Sequence, residues 1–158
     1  MFTSNFHNLA AIKPPLYPVA ISRGSPRWMK GGWLQHVQPG IVGRVDKRLA
    51  PTAAALKASN DEYDRAFNEI LRGLDPRKVY DELGENAVLL CFCSHGRFCH
   101  RRVVGEWFEF HLGVVVPELG YARDDTEVHS GGLYDHHIEP SRKLSWILAR
   151  EHRGETAH

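Results

Sequence analysis

Residues 87–102, Ala-Val-Leu-Leu-Cys-Phe-Cys-Ser-His-Gly-Arg-Phe-Cys-His-Arg-Arg, constrain the fold more than any other part of the chain. A short apolar run, Ala87 to Cys91, stops at polar, turn-forming and cationic residues. Val103, Val104, Trp107, Phe108 and Leu112 then recur on one helical face, and Gly113 closes the pattern. This spacing reads as a buried strand, a loop and a helix. In such a unit the loop lies at the carboxyl end of the strand, and the helix amino terminus points into the same space. All three cysteines of the chain (Cys91, Cys93, Cys99) fall in this window, with His95, His100, Arg97, Arg101 and Arg102. Chemistry or anion binding is expected here.

The rest of the chain supplies the partners such a unit needs. Met1 to Ser4 reads as a first strand, residues 5–12 as a short helix stopped by Pro14 and Pro15, and Tyr17 to Ser22 as a second strand. Trp28 to Gly43 is a long glycine-containing loop, a class of segment often devoted to ligands. Ser59-Asn-Asp-Glu62 matches a capping box, and Tyr63, Phe67, Ile70, Leu71 and Leu74 follow at helical spacing, so a helix is predicted over 60–74. Asp75 and Pro76 start a second helix that Gly84 ends. Val114 to Val116 reads as a last strand, 121–140 as polar loop, and 141–152 as a basic helix carrying Arg142, Lys143 and Arg150. Strands alternating with helices predict an α/β fold: a mostly parallel sheet with helices on both faces, a Rossmann-like three-layer sandwich. Residues 1–120 are expected to form this domain, with 121–158 packed on it as loop and helix, a candidate lid or homodimer arm.

Composition narrows the classes. A net charge of +1 over 158 residues gives no bulk attraction to nucleic acid or anionic membrane, so an anion site must be local. Apolar runs fall well short of the roughly 18 residues a membrane span requires. The amino terminus shows no signal-peptide pattern. An odd, crowded set of three cysteines argues against a secreted disulfide framework and for a cytoplasmic setting.

Three strand ends, Thr3-Ser4, Ser22-Arg23-Gly24 and Cys91 to Arg101, are expected to converge on one pocket. Cys99 sits where the helix begins, beside Arg101, and both features favour a thiolate. It is a candidate nucleophile, with His100 as acid or base. The plainer alternative is a packed, inert cysteine with His100 and Arg101 bonded to nearby backbone or carboxylate. Cys91 and Arg97 have the Cys-x5-Arg spacing of a phosphate-holding loop, although Cys91 also reads as the last core residue of its strand. Cys91, Cys93, His95, Cys99 and His100 could ligate zinc, but they lack a second, distant ligand pair, so no metal and no cofactor are expected. Arg23 is placed to fork onto phosphate or to pair with Asp46, Asp61 or Glu62. Trp28 and Trp33 either stack a base or anchor their loop.

Phe2-Thr-Ser-Asn-Phe6, Ile21-Ser-Arg-Gly-Ser-Pro-Arg-Trp28, and Leu89-Leu-Cys91 leading to Phe98-Cys-His-Arg101 resemble, in that order, signatures of the domain of unknown function 488 (DUF488) family, particularly its phage-type members. Arg48-Leu-Ala-Pro51 and the Glu106-Trp107 to Gly113 stretch add to a resemblance that runs from Met1 to about Leu119. Many members carry an acidic or lysine-rich stretch where this chain has Phe92 to Arg97. The resemblance implies an α/β fold with the strand ends forming one pocket, and a Cys99-His100-Arg101 triplet within it.

Three functions follow as expectations. The first is an enzyme on a nucleotide or nucleic-acid base, with Cys99 and His100 catalytic and Ser4, Ser22, Arg23, Trp28, Arg97 and Arg101 binding a small, nucleotide-like anion. The second is a non-catalytic protein that sequesters such a ligand. The third is a nucleic-acid-binding protein that uses the basic last helix.

Overall fold

The computed structural model describes residues 1–57, 60–92 and 99–119. Four parallel strands form one sheet: β1 (Phe2–Asn5), β2 (Tyr17–Ala20), β3 (Arg44–Val45) and β4 (Ala87–Cys91), in the order β1-β4-β2-β3. β4 lies between β1 and β2, and every one of its residues is buried. That position explains its unbroken apolar sequence, since a central parallel strand is covered on both faces.

The two-residue period of a strand sorts the rest. Val19, Ile21, Ala87 and Leu89 face a core built from Phe67, Leu71, Val79, Leu83, Val103, Val104, Trp107 and Phe108. These come from three helices, α1 (Asn60–Arg72), α2 (Pro76–Leu83) and α3 (His100–Leu112). Ala20, Val88 and Leu90 face the opposite way, onto Phe6, Leu9, Ile12, Met29 and Trp33. This second outer layer is made of 3-10 turns, Phe6–Ala11 and Trp33–His36, and their connecting loops. The result is the predicted three-layer α/β sandwich, with one thin layer. Within the long glycine-containing segment, Trp33 is the anchor, buried with its ring tilted against Phe6 at 5.7 Å between ring centres.

Local signals act where the sequence placed them. The Asp75 carboxylate accepts the Lys78 amide and caps α2, with Pro76 in the first turn. Gly84 ends α2 at φ +87°, and the Tyr17 hydroxyl donates to the carbonyl of Leu83 beside it. Gly113 ends α3 in the left-handed region, φ 66° and ψ 21°. Ser59, the expected cap of α1, lies outside the described residues.

Two elements differ from the sequence reading. Residues 114–116 are not a strand. The chain meets β1 slightly later: the Thr3 amide donates to the Pro117 carbonyl at 3.0 Å and the Leu119 amide to the Thr3 carbonyl at 2.7 Å, leaving a single bridge, Thr3 to Glu118. Proline has no amide to extend a ladder, so pairing at this edge stays short. β3 was not predicted, because two exposed residues carry no alternating pattern. The expected basic helix over 141–152 lies outside the described residues. No helix among the described residues is long and apolar enough to cross a membrane.

A Cβ at Gly84 would run into the Tyr17 hydroxyl and would need a backbone conformation that L-residues avoid. Gly84→Ala is expected to cost about 1–3 kcal/mol, seen as a lower midpoint in thermal unfolding followed by circular dichroism.

Candidate functional site

The site grows from the carboxyl ends of β1, β4 and β2. Strand alternation turns Asn5, Cys91 and Ile21 toward the α3 side of the sheet, and Asn5 lies directly beside Cys91 in register. α3 starts over these ends, with Cys99 as its flanking residue in extended conformation (φ −152°, ψ 142°) and His100 as its first helical residue.

The His100 ring ties the pieces together. Its Nε2 lies 2.5 Å from the carbonyl oxygen of Ile21. A carbonyl only accepts, so Nε2 carries a proton and donates it. Nδ1 is thereby aimed at two sulfurs, Cys91 Sγ at 3.5 Å and Cys99 Sγ at 3.7 Å. Phe67 packs edge-on against the ring at 5.5 Å and restricts its rotation. With His100 neutral, Nδ1 accepts a thiol proton. Moving that proton onto Nδ1 gives a thiolate beside an imidazolium, and the bond to Ile21 is kept throughout. Cys91, Cys99 and His100 are all buried, and their three donor atoms lie within 4.8 Å of one another, close enough to share one ion.

Arg101 supplies the charge. Its side chain is 1% exposed, and its Nε and Nη2 donate to Glu118 Oε1 at 3.0 and 2.9 Å. Burial works to lower the guanidinium pKa. The charges of Cys99 and Glu118, the hydrogen bond to Glu118 and the charge of Cys91 outweigh it and hold the group above its ordinary value. The coupling is mutual, so a fixed cation beside the sulfurs favours their ionised form. The other Glu118 oxygen accepts the Thr3 hydroxyl at 2.6 Å, while Arg102 Nη1 donates to Thr3 Oγ1 at 3.0 Å and to the Val116 carbonyl at 3.1 Å. Asn5 is 1% exposed, and its side-chain oxygen has no hydrogen-bond partner among the described residues. A buried acceptor of this kind wants a donor.

Of the residues singled out from sequence, Cys99, His100 and Arg101 come together. Ser4 points to the other face of the sheet, where its hydroxyl donates to the Leu119 carbonyl at 3.3 Å. Ser22 donates to the Gly24 carbonyl at 2.8 Å and shapes the turn after β2. Arg23 follows Ile21 by two residues and is exposed, with Nη1 3.5 Å from the Pro51 carbonyl. Trp28 is 54% exposed and stacks on His7 at 4.6 Å. Arg97 lies outside the described residues. Sequence reasoning did not assign Asn5 or Glu118 to the site, and it weighed Cys91 only as a phosphate-loop cysteine, a zinc ligand or the last core residue of its strand. Parity along β4 was the available signal for Cys91, which shares a face with Leu89. No local pattern marks Glu118, because its partners are distant in the chain.

A sequence profile described as "Active DUF488-N3 subclade" matches residues 22–112, more than half of the chain. No curated protein and no solved structure matches it.

The buried pair sets a stability test. Glu118→Ala leaves the Arg101 cation buried without its carboxylate and is expected to cost about 3–5 kcal/mol in chemical unfolding. Replacing both together, Arg101→Met with Glu118→Leu, is expected to cost less than Glu118→Ala alone. Additive losses would mean that the pair is not coupled.

Proposed function

The chain belongs to the DUF488 family, and from that membership and its site we propose that it is a thiol-dependent enzyme acting on a small, nucleotide-like or base-containing anion. The observation that carries this reading is the fixed orientation of His100, whose Nε2 is held on the Ile21 carbonyl while Nδ1 faces the thiols. The profile description, with its word "active", is in keeping with it.

Cys99 is the nucleophile. It lies at the amino terminus of α3, where the helix dipole favours negative charge, with the buried Arg101 cation two residues further on. His100 Nδ1 takes the thiol proton and returns it to the leaving group. The Ile21 carbonyl orients the imidazole, the part a carboxylate plays in many triads. Arg101 is engaged with Glu118, so its role is to stabilise the thiolate rather than to grip the ligand. Ligand charge is met by the exposed Arg23 at the β2 end and by the amino terminus of the 13-residue α3. The unsatisfied Asn5 oxygen suits a donor on the ligand, such as a ring or exocyclic N–H of a base.

The test is incubation of the purified chain with nucleoside mono-, di- and triphosphates and free bases, with products read by mass spectrometry. Conversion of at least one compound is expected. His100→Gln is expected to slow it about 10²–10⁴-fold. Full activity in Cys99→Ala removes the thiol role, and a compound that binds and is recovered unchanged makes the protein a sequestering one. Asn5→Ala is expected to lower kcat/KM about 5–100-fold, the cost of leaving a ligand donor unpaired (roughly 1–3 kcal/mol), with the folded fraction unchanged.

A further inference from the structure

We propose that Cys91, Cys99 and His100 also form a binding site for one thiophilic divalent cation, Zn2+ by its chemistry, these three being its ligands among the described residues. Zinc bonds to thiolate sulfur at about 2.3 Å and to imidazole nitrogen at about 2.0–2.1 Å, so tetrahedral angles put sulfur and nitrogen roughly 3.5–3.6 Å apart. The separations here are 3.5 Å for Cys91 and 3.7 Å for Cys99. The two sulfurs lie within 4.8 Å of each other, against about 3.8 Å in a tetrahedral site, so seating the ion draws them together by up to about 1 Å.

Two further features fit a metal rather than a chance cluster. Metal-bound histidines commonly donate their second ring N–H to a carbonyl or carboxylate, which fixes the tautomer and raises the basicity of the bound nitrogen. The Ile21 carbonyl already does this for His100 Nε2, leaving Nδ1 as the ligand atom. Charge also balances. Two thiolates cancel the two positive charges of the ion, so ion and ligands together are neutral, beside a Glu118 carboxylate that pairs with both Arg101 and Arg102. Soft sulfur donors select Zn2+ over Mg2+ or Ca2+, which prefer oxygen. The sequence shows no pair of ligand knuckles because the fold assembles the ligands differently: one from a strand end and two from a helix start.

Binding exchanges protons for metal. Each thiol that ligates gives up one proton, and His100, neutral at Nδ1, gives none. No electron transfer or co-reactant is involved. A loaded Cys99 is a ligand and not a nucleophile, so Zn2+ and the thiol chemistry proposed above exclude one another, and Zn2+ silences that chemistry.

The experiment is titration of the reduced, chelator-treated full chain with Co2+, then with Zn2+. One Co2+ per chain is expected, with sulfur-to-cobalt charge-transfer absorption and the intense visible bands of a tetrahedral site, both removed by stoichiometric Zn2+. Zn2+ is expected to protect Cys91 and Cys99 from iodoacetamide and to release about two protons per ion. Cys91→Ser and His100→Gln are expected to weaken binding at least tenfold with circular dichroism unchanged. A wild-type chain without the charge-transfer band and without protection overturns the site, whatever the variants do. So does full binding in a Cys91→Ser, Cys99→Ser double variant. Full turnover in Cys99→Ala would sink the nucleophile and leave the wild-type cobalt spectrum to decide the metal site.

Discussion

The guanidinium of Arg101 heads the largest fully buried side chains among the described residues, and it carries a charge. A cation removed from water must be matched by charge and hydrogen bonds in good geometry, or the state that buries it is lost. Glu118 provides that match, and the provision reaches across the fold. To bring the carboxylate to Arg101, the chain after α3 must turn back at Gly113, bury Val116 and lie along the outer edge of β1. The same carboxylate then takes the Thr3 hydroxyl, which in turn accepts from Arg102. One ion pair thus joins the first strand, the start of α3 and the segment that follows it. It also fixes a positive charge next to two sulfurs.

The site depends on this arrangement and on the central place of β4. Because all four strands run parallel, their carboxyl ends share one edge of the sheet, and β4 between β1 and β2 puts Cys91 beside both Asn5 and the end of β2. α3 then delivers Cys99 and His100 to the same place. The Ile21 carbonyl that orients the imidazole is itself in line with the sheet, since the Ile21 amide donates to the Leu90 carbonyl at 3.0 Å. Backbone pairing of two strands therefore sets which ring nitrogen faces the thiols. That choice underlies both proton transfer from a thiol and ligation of a metal.

Much of this was legible in the sequence. β4 and α3 were visible because an apolar run and a helical period are local properties, and Asp75, Pro76, Gly84 and Gly113 marked helix ends for reasons confined to a few residues. The Cys99-His100-Arg101 triplet was legible for the same reason. The 3-10 layer was less so: residues 6–11 carry a weak one-face pattern that fits an α-helix as well as a tighter turn, and only packing of Phe6 and Leu9 on the sheet decides between them. Ser4 looked like a pocket residue by its place at a strand end. Strand parity decides its direction, and parity could be assigned only once the buried faces were known.

By itself the sequence determined the α/β class, the strand–loop–helix unit and the crowding of thiol, imidazole and guanidinium groups near its turn. These follow from periodicity, capping and composition, which act over a few residues. The tertiary structure alone decided that Cys91 meets His100, that the Ile21 carbonyl sets the tautomer, and that Arg101 is paired with Glu118 rather than open to a ligand. Each is a contact between groups far apart in the chain or on different elements. Its existence depends on strand order, register and face, and no short-range pattern encodes those.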